Sequence, residues 1–328
     1  MSNFTEQRRQ QFLTEDYYLK TKEYNEEGIP LYLESDAFED DQYNCGEANR
    51  WTAITDIYTS LLYLTYTAGH SIQELIPVFE KVIDGYEKQS EALALFHKSE
   101  KPSVITSQNE TLNILSLAFL LRRNDLFLRI HSLVNGERDS HTGEDEIINK
   151  FFKLNDSTHP TINEGNLFSL SYAKLCDVID NVLVKSDKKH SVELLDEYLS
   201  NWYQMNRNEI WYNSHLDLEN KSSYVGYWAF EAAALVYLLD LDDSSLYKHL
   251  FYPKDIVQWA RNQTKIKALN DDVIQIKLRG GRNVQELVIG KHLHSQIYAG
   301  ILFRIKFFLH LLKWTGVRYI GIGMVRIN

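Results

Sequence analysis

Glu231 is the one charged residue between Val225 and Leu239. A carboxyl group in such an apolar stretch must be paired, hydrogen-bonded or protonated, and active sites exploit groups shifted in this way. His215, Asp217 and Glu219 alternate in a short polar run after Trp211 and Tyr212. An extended segment would bring their side chains together, a pattern suited to acid–base chemistry or metal binding. Neither set contains a nucleophile–base pair. The structural reading is therefore preferred for both. Glu231 is read as a buried carboxyl held by Tyr, Trp or His side chains, and the 215–219 run as a loop that caps helix ends. An enzyme working through Glu231 and His215 stays as the catalytic alternative.

Two other patterns carry less. Lys277-Leu-Arg-Gly-Gly-Arg282 resembles a phosphate loop but lacks the Gly-Lys-Ser/Thr ending and the strand-then-helix setting. His292 and His294 place two imidazoles on one side of an extended segment, without the third ligand that a metal site needs. No catalytic, cofactor-binding or metal-ligating residue is assigned.

The elements around these residues read as helix after helix. In Trp51–Tyr66, Ile54, Ile57, Tyr58 and Leu61 recur at three- and four-residue spacing. Ser71 followed by Glu74 is a capping box that opens a helix toward Phe96, with Pro77 as a kink. Leu112–Leu121 and Leu126–Leu133 form two more helical segments, divided by Asn124-Asp125. Polar, glycine-bearing residues 135–146 read as a loop, and 155–166 as an irregular stretch with His159-Pro160 and Gly165. Helices return at Leu167–Val184 and Ser191–Tyr203, the latter with Val192, Leu195, Leu199 and Trp202 on one face. Trp228–Leu239 is apolar nearly all round and so central. Phe251-Tyr252-Pro253 leads into a short helix with Pro253 at its first position. The expected fold is all-α: an irregular array of packed antiparallel helices, divided into an N-terminal unit (1–160), a second helical unit (161–261) and a basic tail (262–328).

The tail departs from the body in composition. It holds 11 of the 35 Lys and Arg, 3 of the 45 Asp and Glu and 7 of the 15 Gly, a local balance of +8 against −18 for residues 1–261. Within the tail, Val273–Leu278 looks strand-like. Ile297–Trp314 is interrupted by Arg304, Lys306, His310 and Lys313, which argues against a membrane span. The acidic body argues against direct nucleic-acid binding and for a basic partner. Two distant cysteines, Cys45 and Cys176, supply no disulfide framework, and the polar segment Met1–Gln11 is no signal peptide. A cytoplasmic location is expected.

The acids concentrate locally. Between Glu23 and Asn49 there are nine and no Lys or Arg, interleaved with Tyr24, Tyr32, Phe38 and Tyr43. Glu34, Asp36, Glu39, Asp40, Asp41, Tyr43 and Glu47 form the candidate partner-binding segment, since aromatics are enriched at interface hot spots.

Five blocks together resemble a known family: Trp202-Tyr203; Trp211-Tyr212 with His215; Tyr224-Val-Gly226-Tyr227-Trp228-Ala-Phe230-Glu231; Asp242-Asp243-Ser-Ser; and Tyr252-Pro253-Lys-Asp255. Their order and spacing are similar to those of PoNi proteins, the immunity partners of PoNe DNase toxins. The resemblance covers about Phe4 to Arg261. It implies an all-helical, non-catalytic cytoplasmic protein that binds a cognate DNase toxin delivered between bacteria by secretion systems. It implies that the block residues are fold determinants and not a toxin-contact set. Residues 262–328 depart from the family pattern. A helical protein-binding scaffold without a toxin partner is the further alternative.

Overall fold

Side-chain hydrogen bonds set several of the helix starts among the described residues. The computed structural model describes residues 4–41, 43–137, 145–159, 170–219, 223–271, 273–280 and 283–290. In chain order its helices are α1 (Phe4–Gln7), α2 (Glu15–Glu34), α3 (Gly46–Thr67), α4 (Ile72–His97), α5 (Gln108–Leu120), α6 (Phe127–Asn135), α7 (Glu146–Asn155), α8 (Ala173–Leu183), α9 (Lys188–Met205), α10 (Phe230–Leu238) and α11 (Lys254–Asp271). The chain falls into two compact units, Met1–Ala260 and Arg261–Asn328.

The first unit is all-α, as the periodicity predicts. The capping box of α4 forms: Ser71 accepts from the Glu74 backbone while the Glu74 carboxylate accepts from the Ser71 N–H at 3.1 Å. Helix α9 begins on Asp187, whose carboxylate accepts from the His190 N–H at 2.9 Å. One core runs through the helices, from Leu13 and Tyr17 through Phe79, Leu115 and Phe119 to Phe151, Trp202, Tyr224, Phe230 and Ile256. Helix α10 is buried from Phe230 to Val236, so its lack of a polar face follows from its central position.

Helices α3, α5 and α9 begin at Gly46, Gln108 and Lys188, ahead of the predicted Trp51, Leu112 and Ser191, and three further boundaries differ from expectation. The 228–239 helix starts at Phe230, because Gly226 has a positive φ of +115° and the Ala229 N–H donates to the Phe251 carbonyl at 2.9 Å. The backbone from Val225 to Ala229 is thereby kept out of the helix. Helix α8 begins at Ala173, behind a short 3-10 turn at Leu170–Tyr172. Helix α11 begins at Lys254, one residue after Pro253, and is long.

Besides the single-turn α1, two helices lack a counterpart in the periodicity reading. Helix α2 is capped by Thr14, which accepts from the Tyr17 N–H, and α7 by Asp145, which accepts from the Ile148 N–H. Cys45 and Cys176 are both buried and unbonded to each other.

In the second unit, β1 (Val273–Gly280) and β2 (Asn283–Gly290) pair antiparallel, with Val273 opposite Gly290 and Gly280 opposite Asn283. The strand expected at 273–278 is thus present, and Lys277–Gly280 belongs to a hairpin arm. His292, His294 and the 297–314 stretch lie outside the described residues. Among the described residues, no helix is long and apolar enough to cross a membrane.

Candidate docking surface and the core beneath the sequence motifs

The motif residues assemble around Val225–Trp228, which must stay extended and close to α3. Gly226 permits this approach. A Cβ there would lie 2.0 Å from Thr67 Oγ1 and 2.6 Å from Trp228 Nε1. Thr67, at the end of α3, donates to the Val225 carbonyl at 2.6 Å and accepts from Trp228 Nε1 at 2.9 Å. Trp228 packs edge-on to Tyr66, 4.8 Å between centroids.

The N-terminal segment closes over this run. Gln10 is buried, and its Oε1 accepts from the Tyr224 hydroxyl at 2.7 Å and from the Tyr227 N–H at 3.0 Å. Tyr17 donates to the Tyr224 carbonyl at 2.9 Å. Arg9 lies over the Tyr66 ring at 4.4 Å and pairs with Asp255, to which the Tyr66 hydroxyl also donates. Asp255 therefore ties α11 to the N-terminal segment and α3. Sequence reasoning missed Arg9 and Gln10. They stand about 200 residues from the motif blocks, and only long-range pairing marks them.

Glu231 is buried, and its Oε1 accepts from the Tyr198 hydroxyl and from Trp202 Nε1, both at 2.7 Å. Desolvation raises its pKa, and the two donors oppose that shift. The group is thus a hydrogen-bonded hub between α9 and α10. Trp202 stacks on Trp211 at 5.6 Å. Tyr252 donates to the buried carboxylate of Asp243 at 2.6 Å, while Asp242 accepts from the Ser244 N–H at 3.1 Å. Pro253 is buried beside Tyr252.

His215 has no contact with Glu231's partners. Its N–H donates to the Tyr227 hydroxyl at 3.0 Å, its Nδ1 lies 2.9 Å from the same oxygen, and its ring packs on Phe12 at 4.4 Å. Burial lowers its pKa. Asp217 and Glu219 are exposed, along a groove of about 1070 Å³ beside Asp16 and Tyr24 of α2. No group of three metal-ligating side chains occurs among the described residues.

The acidic segment divides by role. Glu34 ends α2, and it is exposed together with Asp36, Glu39 and Tyr43. Asp40 accepts from the Gly46 N–H at 2.8 Å, at the start of α3, and Asp41 accepts from the Tyr43 N–H at 2.7 Å. Glu47 accepts from Trp51 Nε1 at 2.8 Å and pairs with Arg50 at 3.1 Å. Arg50 in turn donates to the Leu33 carbonyl at 2.7 Å, closing the end of α2. All six acids are exposed, but Asp40, Asp41 and Glu47 also hydrogen-bond within the segment and shape the loop. Leu31 (69% exposed), Tyr24 (78%) and Tyr43 (86%) are apolar surface beside them, an unusual concentration for a free face.

Residues 143–256, which contain all five blocks, match the family model for PoNe immunity proteins (PoNi), C-terminal. The crystal structure of protein PA2201 from Pseudomonas aeruginosa is similar in fold, with a TM-score of 0.58 and 14% identity over 78% of this chain and 92% of that one. A search of curated proteins gives no match. Over residues 143–256, the chain is thus similar to the C-terminal part of the PoNe immunity proteins (PoNi).

Proposed function

We propose that this protein is an immunity protein that binds a cognate DNase toxin, delivered between bacterial cells by a secretion system, and holds it inactive in the cytoplasm without catalysis of its own. The observation that carries this reading is the family match over residues 143–256. The charge balance of residues 1–261 supports it. A DNase needs a basic surface to hold phosphates, and an acidic inhibitor complements that surface and speeds capture through long-range attraction.

The segment Glu34–Glu47 is the proposed docking element. Its solvent-facing acids, Glu34, Asp36 and Glu39, provide steering, and Tyr43 provides an aromatic anchor. The test is co-purification with the product of the adjacent toxin gene, followed by a DNase assay with and without this protein. Stoichiometric capture and loss of DNase activity are expected, and an unaffected DNase would refute the reading. Reversal of Glu34, Asp36 and Glu39 to Lys is expected to slow association about tenfold at low salt, an effect that shrinks as the Debye length falls. Asp40 is left intact because it holds the start of α3. Unchanged association would make the segment ordinary solvated surface.

A further inference from the structure

A second site opens away from the acidic loop. Between α3, α5 and the Val225–Trp228 run lies a cleft of about 310 Å³, and Asp56, Tyr63, Asn113, Trp211 and Gly226 are among its lining. Its chemistry is one-sided. Asp56 is exposed at the rim and makes no hydrogen bond or ion pair with the described residues. The protein around it desolvates the carboxyl and raises its pKa, and the Asp56 charge helps to raise that of Glu110. Neither acid has a cationic partner among the described residues.

The amides beside it run the same way. Asn109 donates to the Tyr172 hydroxyl at 3.0 Å and Asn113 donates to Asn109 Oδ1 at 2.9 Å. This chain of donors begins on Asn113, whose own Oδ1 is an acceptor to which neither Asn109 nor Tyr172 donates. Trp211 is half-buried, and its ring is held in place by stacking on Trp202. The cleft therefore combines acceptors that lack donors with a fixed, flat aromatic wall.

A guanidinium group meets both demands. It is planar, permanently charged, rich in donors and weakly hydrated, and it stacks on indole rings. An ammonium group supplies the charge without the planar stack. We propose that this cleft receives an arginine side chain from a protein partner, with the guanidinium donating to Asp56 and Asn113 against Trp211. That the partner is the toxin rests on the function proposed above, whereas the guanidinium chemistry of the cleft does not.

The test has two arms. In the first, the full chain labelled with 5-fluorotryptophan is titrated with N-acetyl-arginine amide, and with the citrulline and lysine counterparts, while 19F spectra are recorded. Trp211, assigned through Trp211→Phe, is expected to shift saturably with the arginine probe up to about 20 mM, a range suited to one side chain. Citrulline is expected to bind at least about tenfold more weakly, with lysine between them. Asp56→Asn is expected to abolish the shift while the other five tryptophan resonances stay in place, which shows an intact fold. No shift, or equal shifts with arginine and citrulline, overturns the proposal. In the second arm, Asp56→Asn is expected to weaken toxin binding about tenfold or more. Arginine binding with unchanged toxin affinity would overturn the assignment of the arginine to the toxin. A toxin that never binds the unaltered chain would instead refute the immunity function.

Discussion

The side-chain amide of Gln10 pairs with the backbone of Tyr227 along both edges: Oε1 accepts from the Tyr227 N–H at 3.0 Å and Nε2 donates to the Tyr227 carbonyl. A single side chain thus serves as the hydrogen-bonding neighbour of an extended strand, 217 residues away in the chain. Gln10 also accepts from the Tyr224 hydroxyl, so three polar groups of the motif run depend on it.

Gln10→Ala leaves those groups buried without a partner. Each such loss costs about 1–3 kcal/mol, so a total near 3 kcal/mol or above is expected after partial rehydration. Urea unfolding followed by far-UV circular dichroism measures it. A loss below about 1 kcal/mol would mean that water replaces the amide without penalty.

Gly226→Ala combines two penalties: φ of +115° is unfavourable for an L side chain, and the new Cβ overlaps Thr67 Oγ1. Strain and displacement together are expected to cost about 2–4 kcal/mol. The Trp228 indole is expected to lose its acceptor as Thr67 shifts, which is visible as a moved indole N–H resonance. Thr67→Ala relieves the overlap, so the double variant is expected to be more stable than the sum of the two single variants predicts.

Glu231 makes stability depend on pH in an unusual direction. Its folded pKa is raised above the ordinary 4.5 by burial, so the native state keeps a proton that the unfolded chain has released. The contribution of this group is complete below about 4.5 and is lost as pH rises through the folded value. Glu231→Gln cannot ionise and retains an acceptor for Tyr198 and Trp202. Its stability relative to the unaltered protein is therefore expected to increase as pH rises above about 4.5. Paired urea titrations from acid to neutral pH test this, and a difference that stays flat would show that Glu231 titrates alike in both states.

The division at Ala260 bears on the role of the basic tail. We propose that residues 262–328 are dispensable for folding of the body and for protection. A chain ending at Arg261 keeps the buried Ile256, Val257 and Ala260. It is expected to melt within about 4 °C of the full chain, which corresponds to less than roughly 2 kcal/mol for a domain of this size. Loss of cooperative unfolding would assign the tail to the functional unit.

Local sequence pattern alone determined the all-α class, the presence of α3, the capped start of α4, the face of α9 and the burial of α10. These rest on neighbours three and four residues apart, and the same local chemistry marks the strand at Val273. Helix α2 escaped that reading because its second half buries little besides Asn25, so an apolar stripe never forms there. The lone carboxyl of Glu231 was legible as a group needing partners, and Tyr and Trp were the residue types named. That Tyr198 and Trp202 both reach one oxygen was decided by the packing of α9 against α10. Likewise, a run of acids is visible in composition, but which of them hold backbone N–H groups is not. All of them are exposed, but Asp40 and Asp41 also hold backbone N–H groups of Gly46 and Tyr43. The contacts of Gln10 and Thr67 with the Gly226 run, the pair of Arg9 with Asp255, and the cleft over Asp56 join residues far apart in the chain. No local rule carries information across that distance. Only the folded backbone sets the ångström-scale separations on which such hydrogen bonds depend.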